Sequence, residues 1–528
     1  MSCALSHPSD PLRGVRFAKV GTAPTDHTHS VTSNLSSAPF PLRSSLPSLA
    51  SEAVDSLNDG LSPSDSLLGT YLNGCAAISP DANSFFLRKC ASPLAEAALD
   101  QLGGPFGRGA FYEAAVRYAS DLLPRLAPGA PPAVRAACAM AGLKRENLPP
   151  AKASMGAHVL AASEEADGLW APVGGARALG KALEAVVEEG GGRVVNLGEG
   201  RVERLEFERP EGTPEEKSEA GPRCTGVRLS DGSTVPVEPG ASVVSGMGVQ
   251  RTFFQLVEDK LSATVKPPEG LLAVTGRRPL LKVSFALRGG RAALDLPAAD
   301  FWQLPSCSPP SDSMEGGAVK LGEIGAQEQP VKFTPGASWM HVDFQSTKDP
   351  SFETRFGKDK STCVVTIEAD DDFVIKPPSN EIPKTFRVNS AAGQKQKDDL
   401  VKKVEEAVVA NFPSVKGAIV KSAISPLIWP GLSHDPNRFA ARCVRPSTPF
   451  PNLFLGGTDL TLDSSNGALS SAVLTANAML GYSAVDIFLL GKSVATDLAR
   501  FAEQARGEGC VAVKFDDGEG AEEGEVVS

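Results

Sequence analysis

Arg445-Pro446-Ser447-Thr448-Pro449-Phe450-Pro451-Asn452-Leu453-Phe454-Leu455-Gly456-Gly457-Thr458-Asp459 is the stretch whose reading decides the fold. It predicts a short buried strand at Leu453-Phe454-Leu455, a tight turn on two glycines, and a carboxylate at the strand's end. Asp459 stands where it can accept hydrogen bonds from sugar-like hydroxyls. A helix is expected to start near Ser464 or Ser465, good N-cap residues, with its positive end facing the same crevice. A lone Gly-Gly-x-Asp would be an ordinary strand-turn-helix corner, so the surrounding sequence has to carry the reading.

Working back along the chain, Gly174-Gly175 feeds a helix with Leu179, Leu183, Val186 and Val187 at helical spacing, stopped by Gly190-Gly191-Gly192. Strands are expected at Arg193–Leu197, Val202–Phe207 and Gly226–Leu229, then a hairpin turn at Ser230-Asp231-Gly232-Ser233 into Thr234–Val237. Val243-Val244-Ser245 closes this unit and is expected to pair in parallel with Leu453-Phe454-Leu455. Between the two lies Lys282–Leu287, which alternates as a half-buried strand, with further strands at Trp339–Phe344 and Cys363–Ile367 giving a mixed sheet. Leu400, Val401, Val404, Ala407, Val408 and Phe412 form one face of a helix that Pro413 ends.

The order of these elements, with the C-terminal stretch, resembles flavoproteins of the phytoene desaturase, carotenoid isomerase and all-trans-retinol 13,14-reductase (retinol saturase) family. A second match is Ser346-Thr347-Lys348-Asp349-Pro350-Ser351-Phe352-Glu353-Thr354-Arg355-Phe356, similar to an S-x-K-D-P-x-aromatic-x-x-R-F segment of the retinol saturase branch. Gly174-Gly175 is the third. Together they cover roughly residues 165 to 500. The resemblance implies an α/β fold, with an incomplete Rossmann-like FAD-binding domain, an inserted mixed-sheet substrate domain and a helical subdomain. It implies FAD as cofactor, with Asp459 on a ribityl hydroxyl. Gly456, Gly457 and Thr458 would approach through backbone, as would Asn466, Gly467 and Ala468 at the helix N-terminus. The backbone of Val202 would lie against the adenine.

By the same resemblance the reaction is saturation, desaturation or isomerisation of a conjugated polyene, retinoid or carotenoid, with the hydride chemistry carried by the flavin. It also implies peripheral membrane contact, with a plastid or endoplasmic reticulum membrane surface as candidate locations. No side chain declares itself as general acid or base. Asp463 departs from the family pattern, because an extra carboxylate repels an anionic cofactor unless it turns to solvent. So does the stretch before residue 165, where no strand leads into G-x-G-x-x-G, the turn that cradles pyrophosphate. Gly246-Met247-Gly248-Val249-Gln250-Arg251 better matches the end of the return strand. Weak FAD retention is therefore expected. The alternative is a non-catalytic paralogue that keeps the fold as a lipid-binding or interaction module.

The expected organisation is a disordered leader over 1–60, a helical subdomain over 61–165, the second part of the FAD-binding domain over 166–250, and a substrate domain over 251–430. A C-terminal FAD segment over 431–505 and an acidic disordered tail over 506–528 complete it. The leader's serine, proline and arginine content fits a transit peptide, with Asp10 and Asp26 against it. In the helical block two faces are expected: Leu94, Ala95, Ala98, Leu99 and Leu102, and then Ala114, Ala115, Tyr118 and Leu122. The net charge of −11 leans on the tail. No basic run alternates with aromatics, so a nucleic-acid partner is not expected. Nine cysteines and six histidines have no metal-ligand spacing, which argues against zinc or iron–sulfur and for reduced thiols. His341 and His434 read as packing or surface histidines.

Overall fold

The computed structural model describes residues 67–91, 109–126, 148–166, 174–195, 201–208, 221–257, 276–298, 338–369, 391–428 and 430–481. Shorter pieces are described at 17–20, 29–32, 40–42, 96, 101, 169–172, 270, 273–274, 300–303 and 333–335. The acidic tail, the Leu94–Leu102 face and the proposed helix at 131–143 lie mostly or wholly outside them. Three strands, β1 (Phe17–Val20), β2 (His29–Thr32) and β3 (Phe40–Leu42), fall within the stretch expected to be disordered, which corrects that expectation for these segments. They join by backbone pairing at sheet edges: β1 to β4 (Leu169–Pro172), and β2 to a strand of the large sheet. Edge pairing needs main-chain groups rather than apolar periodicity, so composition gave no sign of it.

The helical block comprises α1 (Leu67–Ile78), α2 (Asp81–Arg88), α3 (Gly109–Ala115), α4 (Ala119–Leu126) and α5 (Met155–Ala166). Phe85, Phe111, Met155 and Val159 are buried at its centre together with Phe439 from the distant C-terminal segment. The expected continuous face Ala114–Leu122 is broken. The helix ends at Ala115, and Tyr118 instead forms an isolated bridge to Ser154 and is 41% exposed. Ser154 Oγ donates to the Ala115 carbonyl (2.7 Å), so a tertiary hydrogen bond takes the place of helix continuation.

The α/β unit starts with α6 (Ala176–Glu189). Its apolar face forms as expected, yet none of its residues is buried. Residues 193–195 are not strand, against expectation. β5 (Val202–Glu208), β6 (Arg223–Leu229) and β7 (Thr234–Pro236) make an antiparallel meander. The β6–β7 turn closes as read: Gly232 has φ 89°, and Asp231 Oδ1 accepts from Ser233 N (2.8 Å) and Ser233 Oγ (2.7 Å). These bonds hold the Asp231 carboxyl below the usual carboxylate range.

β8 (Val243–Ser245) pairs in parallel with a strand two hundred residues away, described below. Between them in the chain lie β9 (Leu280–Arg288), β10 (Asp300–Gln303), β11 (Met340–Asp343), β12 (Lys360–Glu368) and β13 (Ile419–Ile424). With β2 and β3 they form one sheet in the order β13-β9-β12-β11-β10-β2-β3, antiparallel except for β10–β2. This is the expected inserted mixed sheet. Along β9 the alternation buries Leu281, Val283, Phe285 and Leu287 and exposes the residues between them. Each such side chain contributes about 1.5–3 kcal/mol on burial. The helix Ala391–Asn411 covers the sheet with Leu400, Val404, Ala407 and Val408, and Pro413 follows it, as the periodicity required.

Candidate functional site

β14 (Leu453–Leu455) lies parallel to β8 as expected, with Leu453 opposite Val243, Phe454 opposite Val244 and Leu455 opposite Ser245. At the carboxyl ends of this pair the chain turns on Gly457 (φ 89°), and Gly456 N donates to the Ser245 carbonyl (2.9 Å). A helix, Ser465–Leu480, then leaves the corner. Ser464 caps it, its Oγ accepting from Gly467 N (2.9 Å), and Gly481 closes it in the left-handed region at φ 67°.

Asp459 is 4% exposed, and both of its oxygens accept from backbone amides of other segments. Oδ2 takes Val249 N–H (2.7 Å) and Oδ1 takes Leu432 N–H (2.8 Å). The glycine before each of those residues makes the approach feasible. Gly248 (φ 91°) and Gly431 (φ 90°) both sit in the left-handed region, and a Cβ at either would crowd the carboxylate. Arg438 binds the same loops from the other side. It is 2% exposed and donates to the carbonyls of Leu432 (2.9 Å), Thr458 (2.6 Å) and Thr461 (2.9 Å). Leu432 is therefore held on both sides of its Cα, by Asp459 at N–H and by Arg438 at C=O. Arg438 is itself placed by the short helix Pro436–Ala440, whose N-cap Asp435 accepts from its N–H (3.1 Å).

Six of the eight residues expected to hold cofactor, Gly456, Gly457, Thr458, Asp459, Gly467 and Ala468, gather at this corner. The side chain of Asn466 lies outside the described residues. Val202 opens β5 opposite Leu229 and packs against the core that contains Leu455 and Leu460. The groups that were to face a ligand already have partners within the chain. Asp459 holds two loops, the Thr458 carbonyl accepts from Arg438, Gly467 N–H meets the Ser464 cap, and Gly467 C=O accepts from Thr461 Oγ1 (2.6 Å). Leu462 backbone closes over Gly467, where a Cβ would have no room. Each Asp459 oxygen already accepts one backbone amide, so a ribityl hydroxyl could be held there only through the carboxylate's remaining lone pairs. The Asp463 side chain remains partly open to solvent while it pairs with the buried Arg277, and its N–H donates to His434 Nε2 (3.2 Å).

The S-x-K-D-P segment touches the third matched stretch. Asp349 Oδ1 accepts from Gly174 N–H (3.3 Å), from Ser351 N–H (3.0 Å) and from Ser351 Oγ (2.7 Å), while Arg355 pairs with Oδ2. Lys348 bridges Asp300 (2.5 Å) and Asp343 (2.7 Å) on neighbouring strands. Burial alone would lower this ammonium's pKa, but the two carboxylates outweigh it and hold it above the ordinary lysine value. His341 stacks on Trp302 (4.7 Å between centroids) and meets Asp300 through Nε2 (3.1 Å), a packing role as read. Among the described residues no group of three or more histidine, cysteine or acidic side chains is placed to hold a metal. Nor is any described helix long and apolar enough to cross a membrane.

Sequence reasoning missed Arg438 and the glycine pair Gly248 and Gly431. Their one local signal is Asp435-Pro436, a helix start with Pro at its first position, which places Arg438 on a short helix without revealing what it grips.

No family model matches the chain. It is 24% identical over 273 residues to the all-trans-retinol 13,14-reductase of Rattus norvegicus, which takes in 49% of this chain and 42% of the rat protein. The chain thus spans about two fifths of the length of that curated relative. Among solved structures, the cyclohexylamine oxidase of Brevibacterium oxydans overlaps with a TM-score of 0.45 at 12% identity, over 90% of this chain and 83% of that one. A wild-type putrescine oxidase gives 0.44 at 10% identity over 90% and 83%, and a Rab GDI from Plasmodium falciparum gives 0.36 at 8% over 89% and 77%. All three scores lie below one half, so the fold description rests on the strand order and register above.

Proposed function

We propose that the chain is a flavin-dependent oxidoreductase whose substrate is a conjugated polyene, with reduction of a carbon–carbon double bond the reaction class. One observation carries the reading: strand, Gly456-Gly457, buried Asp459 and capped helix follow one another at the carboxyl end of a parallel pair, where α/β sheets place their ligands. The relation to the rat retinol reductase supports the substrate class. The chain's own contribution is an apolar middle sheet and a corner tied together by Asp459 and Arg438. No proton or hydride step is assigned to a side chain.

A second reading is favoured by a specific observation. Both oxygens of Asp459 and the Gly467 amide are engaged within the chain, as in a module that keeps the fold without the cofactor. Flavin titration separates the two. Because admitting a ribityl hydroxyl would compete with two backbone amides, the purified chain is expected to bind FAD weakly and to lose it on gel filtration. Retention of one FAD per chain would overturn the second reading. Absence of flavin binding even at saturating FAD would overturn the first.

A further inference from the structure

Between the helical block and the Phe439–Arg445 segment lies a cavity of about 150 Å³. Its charged lining is Arg88, Lys89, Arg442 and Arg445 against a single acid, Glu96. In a chain of net charge −11 this is a local excess of positive charge. Phe85, Tyr112 and Phe439 supply aromatic wall.

The groups differ in how far the chain already engages them. Arg445 uses three of its five N–H donors within the chain: it donates to the carbonyls of Arg442 (2.5 Å) and Ala91 (3.0 Å) and pairs with Glu96 (2.5 Å). That pairing neutralises the one acid among the described lining residues. Lys89 is 8% exposed and gives one hydrogen bond, to the Val444 carbonyl (3.0 Å). Its Nζ also stands 5.3 Å from the Phe85 ring centroid and 5.8 Å from that of Phe86. An ammonium has three donors, so two remain for a ligand. A buried cation with donors to spare at a cavity wall is what an anion site requires.

Size narrows the class. A cavity of roughly 150 Å³ accommodates a benzene-sized body, and this one has an aromatic wall beside its charged groups. We propose that this cavity binds a small aromatic carboxylate, its carboxylate on Lys89 and its ring against the cavity-facing side of the packed Phe85, Tyr112 and Phe439 cluster. The site does not involve flavin, and it adjoins the Asp459 corner through Arg438 and Phe439.

The site also carries a pH dependence. Burial, reinforced by Arg438 and Arg445, pulls the Lys89 ammonium down to about 7, while Glu96 and Cys443 act the other way. Below that value Lys89 is cationic and can hold the anion, and above it the neutral amine loses the attraction. Affinity therefore rises as pH falls through the value and declines above it.

The test is calorimetric titration of the full chain with benzoate, with benzyl alcohol as uncharged isostere and inorganic phosphate as ring-free anion. Titrations are made one unit below and one unit above about 7. Benzoate should bind saturably at the lower pH and more weakly at the higher. Lys89→Met should cut benzoate affinity about ten- to a hundredfold, the worth of one charge-assisted hydrogen bond, and remove the pH dependence. Benzyl alcohol should be indifferent to the substitution. Should Lys89→Met fail to fold, Arg442→Ala, at an exposed position of the same lining, should also weaken benzoate. Equal benzoate affinity in wild type and variants, phosphate binding as tightly as benzoate, or no saturable binding would each overturn the assignment.

Discussion

Arg438→Met is expected to lower stability by about 3–5 kcal/mol. Methionine matches the length and apolar stem of the side chain but has no donors. The carbonyls of Leu432, Thr458 and Thr461 would then face a buried space with the guanidinium gone. Each buried acceptor left without its donor costs about 1–3 kcal/mol, offset in part because a buried charge no longer has to be desolvated. Arg438→Lys should recover little, since a compact ammonium cannot span three carbonyls that a planar fork reaches together. Urea unfolding followed by intrinsic fluorescence reads the loss. Hydrogen exchange should show it first at the amide of Leu432, held by Asp459 from the adjoining loop. A change below about 1 kcal/mol, within the range of ordinary surface substitutions, would mean that Arg438 does not organise the corner.

What was legible in the chain, and what was not, divides along a physical line. The β8–β14 pairing was legible as a parallel contact because two short apolar runs, each ending at a glycine turn, read as strands of one unit. Leu453 and Leu455 point into the core at 0% and 1% exposure, as period two demands. β9 and the helix over the inserted sheet were legible for the same reason, since their periodicities state which face is buried. The clamp was not. Asp459, Arg438, Gly248 and Gly431 are up to two hundred residues apart, and they meet through main-chain donors and acceptors that have no sequence signature. Lys89 was equally silent: in the sequence it is one lysine after a helix, and only the fold brings Val444 and the Arg445–Glu96 pair to it. Asn452 belongs with them. Its side-chain amide bridges N–H and C=O of Cys224 at 2.8 Å each, tying the entry of β14 to β6, and nothing local distinguishes it from a turn residue. Periodic burial can be read from sequence, whereas polar clamps between distant loops need coordinates.

Asp459→Ala is expected to lower stability by about 2–5 kcal/mol, since it orphans two buried amide donors at about 1–3 kcal/mol each. Asp459→Asn should lose less, as its remaining oxygen still accepts from one amide while its NH₂ confronts the other. The test lies in what happens to flavin. For a carboxylate that holds ribityl hydroxyl, alanine would weaken FAD by about ten- to a hundredfold and leave the melting temperature of flavin-free protein unaltered. For a carboxylate that holds Val249 and Leu432, the melting temperature falls and any FAD affinity of the folded molecules stays as it was. The geometry predicts the second pattern. Gly431→Ala supplies an independent probe that leaves the carboxylate in place. At φ 90° an alanine is strained, and its Cβ collides with Asp459 Oδ1. It should therefore reproduce the stability loss of Asp459→Ala, and the double variant should fall short of the sum, because both changes release the same contact. Additive losses would show that Asp459 and the Gly431 turn stabilise the fold separately. A flavin-binding defect in Asp459→Ala without a melting shift would restore the carboxylate to a cofactor role.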